Sequence, residues 1–123
     1  MKVVQSPLIG KTFDFHLLKH VLQDLGFIMG ETFTYSYAVF DYELHKSKIS
    51  YDYYLRIFTD AVKGHIEKSG CEVQINNIEI FKALYHNGIF RDDEVPQEYV
   101  KKAEALLKQV HEKLGVASEF TIA

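Results

Sequence analysis

The sequence predicts an α+β two-layer sandwich, with two helices on one face of an antiparallel sheet in the order β-α-β-β-β-β-α. Three observations lead there. Apolar residues recur with the helical period of 3.6 in two places, one near each end of the chain. Between those stretches the period drops to two, which is the alternation of strands. Each helical stretch carries a single apolar stripe, so both helices need a surface to cover, and one face of a sheet supplies it. At 123 residues the chain is long enough for one core and reads as a single domain, 1–123.

Lys2 to Ile9 reads as a first strand, with Ser6-Pro7 marking an edge or a bend. "TFDFHLLKHVLQDLG" (12–26) reads as a helix with Leu17, Leu18, Val21, Leu22 and Leu25 in its stripe. Thr12 or Asp14 suits its N-cap, because either side-chain oxygen accepts an orphan backbone N–H, and Gly26 suits its stop. Phe33, Tyr35, Tyr37 and Val39 then alternate with small polar residues, after which the apolar parity shifts to Phe40, Tyr42 and Leu44. A regular strand with one buried face cannot do that, so a bulge near Ala38–Phe40 or a strand covered on both faces is expected.

"HKSK" (45–48) reads as a polar turn and Ile49 to Thr59 as the next strand. Residues 62–75 form a hairpin with Lys68-Ser69-Gly70 at its tip, and 76–85 an extended or looped return. Asp92-Asp93-Glu94 and Pro96 announce the last helix, with acids at the positive end of its dipole and a proline where a missing N–H costs nothing. Tyr99, Val100, Ala103, Leu106, Leu107, Val110 and Leu114 share an arc of about 120° on it, and Gly115 ends it.

Bulk composition excludes several classes. Net charge is −3, with no concentrated basic stripe of the kind a nucleic-acid backbone requires. One cysteine, Cys71, rules out an internal disulfide, and its alternation with Val73 and Ile75 points it inward as a small hydrophobe. No run approaches a membrane span, and "MKVVQSPLIG" is too interrupted for a signal peptide. The expected protein is soluble and cytoplasmic, with no cofactor.

The aromatic residues are the departure from an ordinary composition, and "YDYYLRIF" (51–58) concentrates them. Alternation gives Tyr51, Tyr53, Leu55 and Ile57 to the core face and Asp52, Tyr54, Arg56 and Phe58 to the other. A sheet face turned to water should be plainly polar, yet this one carries Tyr54 and Phe58 around an arginine. Tyrosine and arginine are enriched where another protein chain provides the cover. The competing structural reading is strand propensity plus an ion pair from Arg56 to Asp41, Glu43 or Glu67.

"ALYHNGIF" (83–90) places Tyr85 and His86 side by side in a turn, where they could supply acid–base chemistry, although Asn87-Gly88 is first a turn signal. His16, His20 and Asp24 stand at i, i+4 and i+8, but on the polar face beside Lys19 and Gln23, and the His-Glu-x-x-His order is absent. No metal site and no catalytic set is assigned.

Several short motifs, in order, resemble the bacterial YugN-like family: "SPLIGK" and "LGF-x-x-G", then "FDYEL" (40–44) and "YYLRIF" (53–58), then Val62-x-Gly64-x-Ile66 and "FKALYHNG" (81–88). Together they span residues 6 to 90. The resemblance implies a sheet with helices packed on it, topologically like one repeat of the TATA-box-binding protein. It implies no activity, because the family is uncharacterised, and it carries over no catalytic residue. The family pattern has a proline after "LRI" where this chain has Phe58, and a histidine before "LY" where it has Ala83. Topology alone does not argue for DNA, since a DNA-binding face would need cations around its aromatic wedges.

The expected function is a non-enzymatic binding module that forms a homodimer through Tyr54, Arg56 and Phe58. The alternative is a sensor or acid–base enzyme for a small anionic ligand, with Arg56, Tyr85 and His86 around a pocket.

Overall fold

Thirteen residues, Glu72–Leu84, run as one strand through the middle of the sheet, and the rest of the fold is arranged around them. The computed structural model describes residues 2–30, 34–45, 51–84, 88–90 and 94–123. Its elements are β1 (Lys2–Gln5), β2 (Thr12–Asp14), α1 (Phe15–Asp24), β3 (Ile28–Met29) and β4 (Tyr37–His45). They continue with β5 (Tyr51–Lys63), β6 (Glu72–Leu84), β7 (Gly88–Phe90), α2 (Gln97–Leu114) and β8 (Thr121–Ile122). This is α+β, as expected, with two helices and an antiparallel sheet. The order differs from β-α-β-β-β-β-α through the short strands β2, β3, β7 and β8.

On one side β6 pairs with β5 along nearly its whole length, and β5 pairs in turn with β4 and β4 with β3. Its other side is met end to end by three short strands, β2 at Glu72–Gln74, β1 at Glu79–Ile80 and β7 at Lys82–Leu84. Of residues 76–85, expected as an extended or looped return, 76–84 therefore contribute more than half of a central strand, and Tyr85 lies outside the described residues. The hairpin expected at 62–75 is the connection between β5 and β6, with Gly64 and Gly70 both at positive φ. A Cβ on Gly64 would stand 3.3 Å from the Cys71 backbone, which is why glycine suits that close approach.

β4 runs in unbroken register from Tyr37 to Glu43, with Ala38 and Phe40 buried and Val39 half-buried on the opposite face, so no bulge occurs near Ala38–Phe40 and the strand is partly covered on both sides. Its register shifts only further on, between Glu43 and His45. A parity break also falls on β6, where Phe58 faces Asn77 but Thr59 faces Ile75. Asn76 is the extra residue. Before it Val73 and Ile75 point to the core, and after it Ile78 and Ile80 do.

Residues 12–14 are strand, not helix, because they pair with β6 before α1 begins. Asp14 caps α1, its carboxylate accepting the Leu17 N–H at 2.9 Å. Gly26, at φ +103°, ends the helical stretch. The buried stripe is Phe15, Leu18 and Leu22. Including Phe15 rotates the stripe away from Leu17, which is 53% exposed instead of buried. In α2 the expected stripe is buried at Val100, Ala103, Leu106, Leu107 and Val110, and Gly115 closes the helix at φ +70°. Inward strand residues and both helical stripes form one core cluster, so both helices lie on the same sheet face.

The C-terminal tail docks. Val3 and Ala123 exchange both backbone hydrogen bonds at 3.0 Å, and β8 adds to β1. Beneath it His111 is fully buried, with Nδ1 donating to the Leu107 carbonyl at 2.6 Å and Nε2 hydrogen-bonded to the Ser6 hydroxyl at 2.7 Å. Phe120 stacks on the imidazole at 4.9 Å between ring centres. One buried ring thus ties the end of β1, α2 and the tail together. The turn expected at 45–48 lies, beyond His45, outside the described residues. The same holds for Asp92 and Asp93.

Candidate functional site

The face of the sheet turned away from the helices is built from alternate residues of three long strands. β4 brings Val39, Asp41 and Glu43, β5 brings Asp52, Tyr54, Arg56 and Phe58, and β6 brings Asn77, Glu79 and Phe81. Register aligns them in rows. Arg56 stands between Asp41 and Glu79, Tyr54 between Glu43 and Phe81, and Phe58 between Val39 and Asn77.

Arg56 closes its fork on Asp41, with Nε at 2.7 Å from one carboxylate oxygen and a terminal nitrogen at 2.9 Å from the other. This is the bidentate geometry that a planar guanidinium favours. The cation also lies 4.8 Å from the centre of the Phe81 ring and 5.7 Å from that of Phe58. Its pKa is raised above the ordinary arginine value, first by the hydrogen bonds to Asp41, so it stays charged. The side chains of Arg56 and Asp41 keep only 20% and 22% of their accessible surface.

Tyr54 stacks on Phe81 with ring centres 5.8 Å apart and interplanar angle 29°. Its hydroxyl lies 3.3 Å from both Glu43 Oε1 and Asp52 Oδ2. Burial, then the charges of Asp52 and Glu43, pushes the phenol well above the usual tyrosine range. It is held as a hydrogen-bond donor and keeps its proton near neutral pH. Asp52 and Glu79 are 4% and 2% exposed, and Phe81 1%, values typical of a core although both helices lie on the other face.

At the β3 edge, Ile28, Met29, Gly30, Asp41, Glu43 and Tyr54 border a cleft of about 240 Å³, and Ile28 is 71% exposed. The arrangement presents the partly exposed rings of Tyr54 and Phe58 beside the Arg56–Asp41 pair, while Phe81, Asp52 and Glu79 are already covered. Among its described residues the face has no serine, threonine or cysteine beside a histidine.

The structure brings Tyr54, Arg56 and Phe58 together on this face. Tyr85 and His86 lie outside the described residues. Phe81, Asn77 and Glu79 were not foreseen, because 76–85 was not expected to be a long strand. The pattern Ile78-x-Ile80 after Val73-x-Ile75, offset by "NN", was the available signal. Of the helical trio, His16 Nε2 turns to the Lys68 carbonyl at 3.3 Å and His20 pairs with Asp24 at 3.2 Å.

The fold and this face define a class: an α+β domain whose sheet is packed by helices on one side and by an aromatic and ionic layer on the other. The YugN-like family model matches residues 3–112, and the chain belongs to that family. Among solved structures it is similar to the crystal structure of the uncharacterized conserved protein YugN from Geobacillus kaustophilus HTA426. The identity is 22%, the TM-score 0.72, and the match covers 85% of this chain and 86% of that one, which establishes likeness of fold. Among curated proteins, none matches the chain. No helix among the described residues is long and apolar enough to cross a membrane.

Proposed function

We propose that the chain is a non-enzymatic cytoplasmic binding module that self-associates, two copies meeting through the outer sheet face around Tyr54, Arg56 and Phe58. One observation carries the reading. Arg56 is matched by Asp41 within its own chain and lies against Phe58 and Phe81. Covering the Arg56–Asp41 pair with a second copy leaves neither of those two ions without its partner, which lowers the penalty against burying them. The partly exposed rings of Tyr54 and Phe58 supply apolar area.

The alternative, a sensor or enzyme that takes a small anion on Arg56, requires the guanidinium to leave Asp41 or to share it. For that reason self-association is the preferred reading. A nucleic-acid partner is disfavoured on the same face, where Asp41, Glu43, Asp52 and Glu79 surround one arginine among the described residues.

Sedimentation across a concentration series tests the proposal. The wild type should shift from monomer toward dimer as concentration rises. Phe58→Asp, which adds a charge on the half-buried ring position, should remain at 14.3 kDa throughout. Identical behaviour of the two proteins would remove the outer face from the contact.

A further inference from the structure

A cavity of about 390 Å³ opens where the β5–β6 connection meets the turn before β4, lined by Thr34, Tyr35, Glu67 and Lys68. That volume falls in the range of roughly 300–1,000 Å³ typical of small-molecule sites. Its walls are fixed by backbone bonds. Thr34 Oγ1 accepts the N–H groups of Ser36 and Tyr37 at 3.1 and 3.3 Å, and Ile66 donates to the Tyr35 carbonyl at 2.9 Å. Ile66 itself is fully buried and anchors the connection to the core. The Tyr35 backbone is therefore held while its ring remains 63% exposed, resting edge-on against His65 at 5.8 Å.

Glu67 is the only residue other than glycine with positive φ among those described, at +72°. L side chains avoid this region, and such outliers cluster at functional positions. Here the conformation places the Glu67 carboxylate 2.9 Å from Lys19 Nζ. The acid on the cavity wall is thereby neutralised. Lys68, on the same wall, has no ion-pair partner among the described residues. The cavity thus combines an exposed ring, held in place, with one ammonium that has no ion-pair partner among the described residues.

We infer that this cavity binds a small planar aromatic anion, its ring stacked on Tyr35 and its acidic group paired with Lys68. A cation is repelled by Lys68 and finds no free charge on Glu67. A ring without an acid leaves the ammonium unused. The site is separate from the outer sheet face and does not depend on the self-association reading.

The probe is 2-naphthalenesulfonate, a planar aromatic sulfonate, titrated into the protein and followed by its fluorescence and by backbone amide shifts. The expected result is one site per chain, with shifts concentrated at residues 34–37 and 64–70. Tyr35→Ala should weaken binding about tenfold and Tyr35→Phe should retain it, since the ring is what is used. Lys68→Glu should weaken it about fivefold and lessen its salt dependence. Both positions are exposed, so melting temperatures should be unchanged. Shifts concentrated instead around Tyr54 and Phe58, equal affinity in Tyr35→Ala and wild type, or no binding at millimolar probe would overturn the assignment.

Discussion

The two faces of β5 solve burial in different ways. Inward, Leu55 and Ile57 are completely covered by apolar neighbours, and Thr59 satisfies its hydroxyl on the Ala38 carbonyl at 2.9 Å. Outward, Tyr54, Arg56 and Phe58 are half-buried by one another and by the side chains of β4 and β6. The inner face is held by packing, which is non-directional and scales with area. The outer face is held by directed pairs that each need a particular partner. Substitutions on the inner face should therefore cost by volume, and those on the outer face by the charge or hydrogen bond left behind.

The largest effect should come from the inner face. Phe40→Ala removes a fully buried ring and should cost about 3–5 kcal/mol in urea unfolding. A cost near 1 kcal/mol would mean that the core under the helices is loosely packed.

On the outer face, Arg56→Met should cost about 1–3 kcal/mol by leaving the Asp41 carboxylate half-buried without its fork. Adding Asp41→Leu should recover most of that loss, because removing both charges removes the penalty. If the double variant is no better than the single, packing rather than pairing holds this face.

Tyr54 gives a pH signature. Its folded pKa lies above its unfolded value near 10, so the folded state holds its proton where the unfolded chain has lost it. Stability from this group is complete below about pH 10 and is lost as pH rises through the folded value. Tyr54→Phe should flatten the loss of stability above pH 10, and the variant's ultraviolet titration should lack a late-ionising tyrosine that the wild type shows. Leu17→Ala, on the exposed flank of α1, should change stability by less than about 0.5 kcal/mol.

Much of this contrast was legible in the residues themselves. The α2 stripe, Asp14 as one of two cap candidates, and the alternation of β5 from Tyr53 to Phe58 follow from period and local chemistry. Tyr51, by contrast, expected in the core, is exposed, and Asp52 is buried. Asp41 is one of the three partners for Arg56, with Glu43 and Glu67, that the competing structural reading left open. The short strands were hidden because two or three residues carry no period, and their pairing partners lie far along the chain. Residues 76–84 were misread because the bulge at Asn76 shifts the apolar parity, which makes one strand look like two weak segments. His111 escaped notice for another reason. On a helix wheel it sits at the edge of the stripe, and only the docked tail and Ser6 show that it is buried and paired.

The central claim is that the outer face is where two copies meet. A native mass spectrum of the wild type beside Phe58→Asp tests it most directly. The account predicts a species at twice 14.3 kDa for the wild type and a single chain for the variant. A wild type that stays monomeric at tens of micromolar, or a variant that still dimerises, would contradict it.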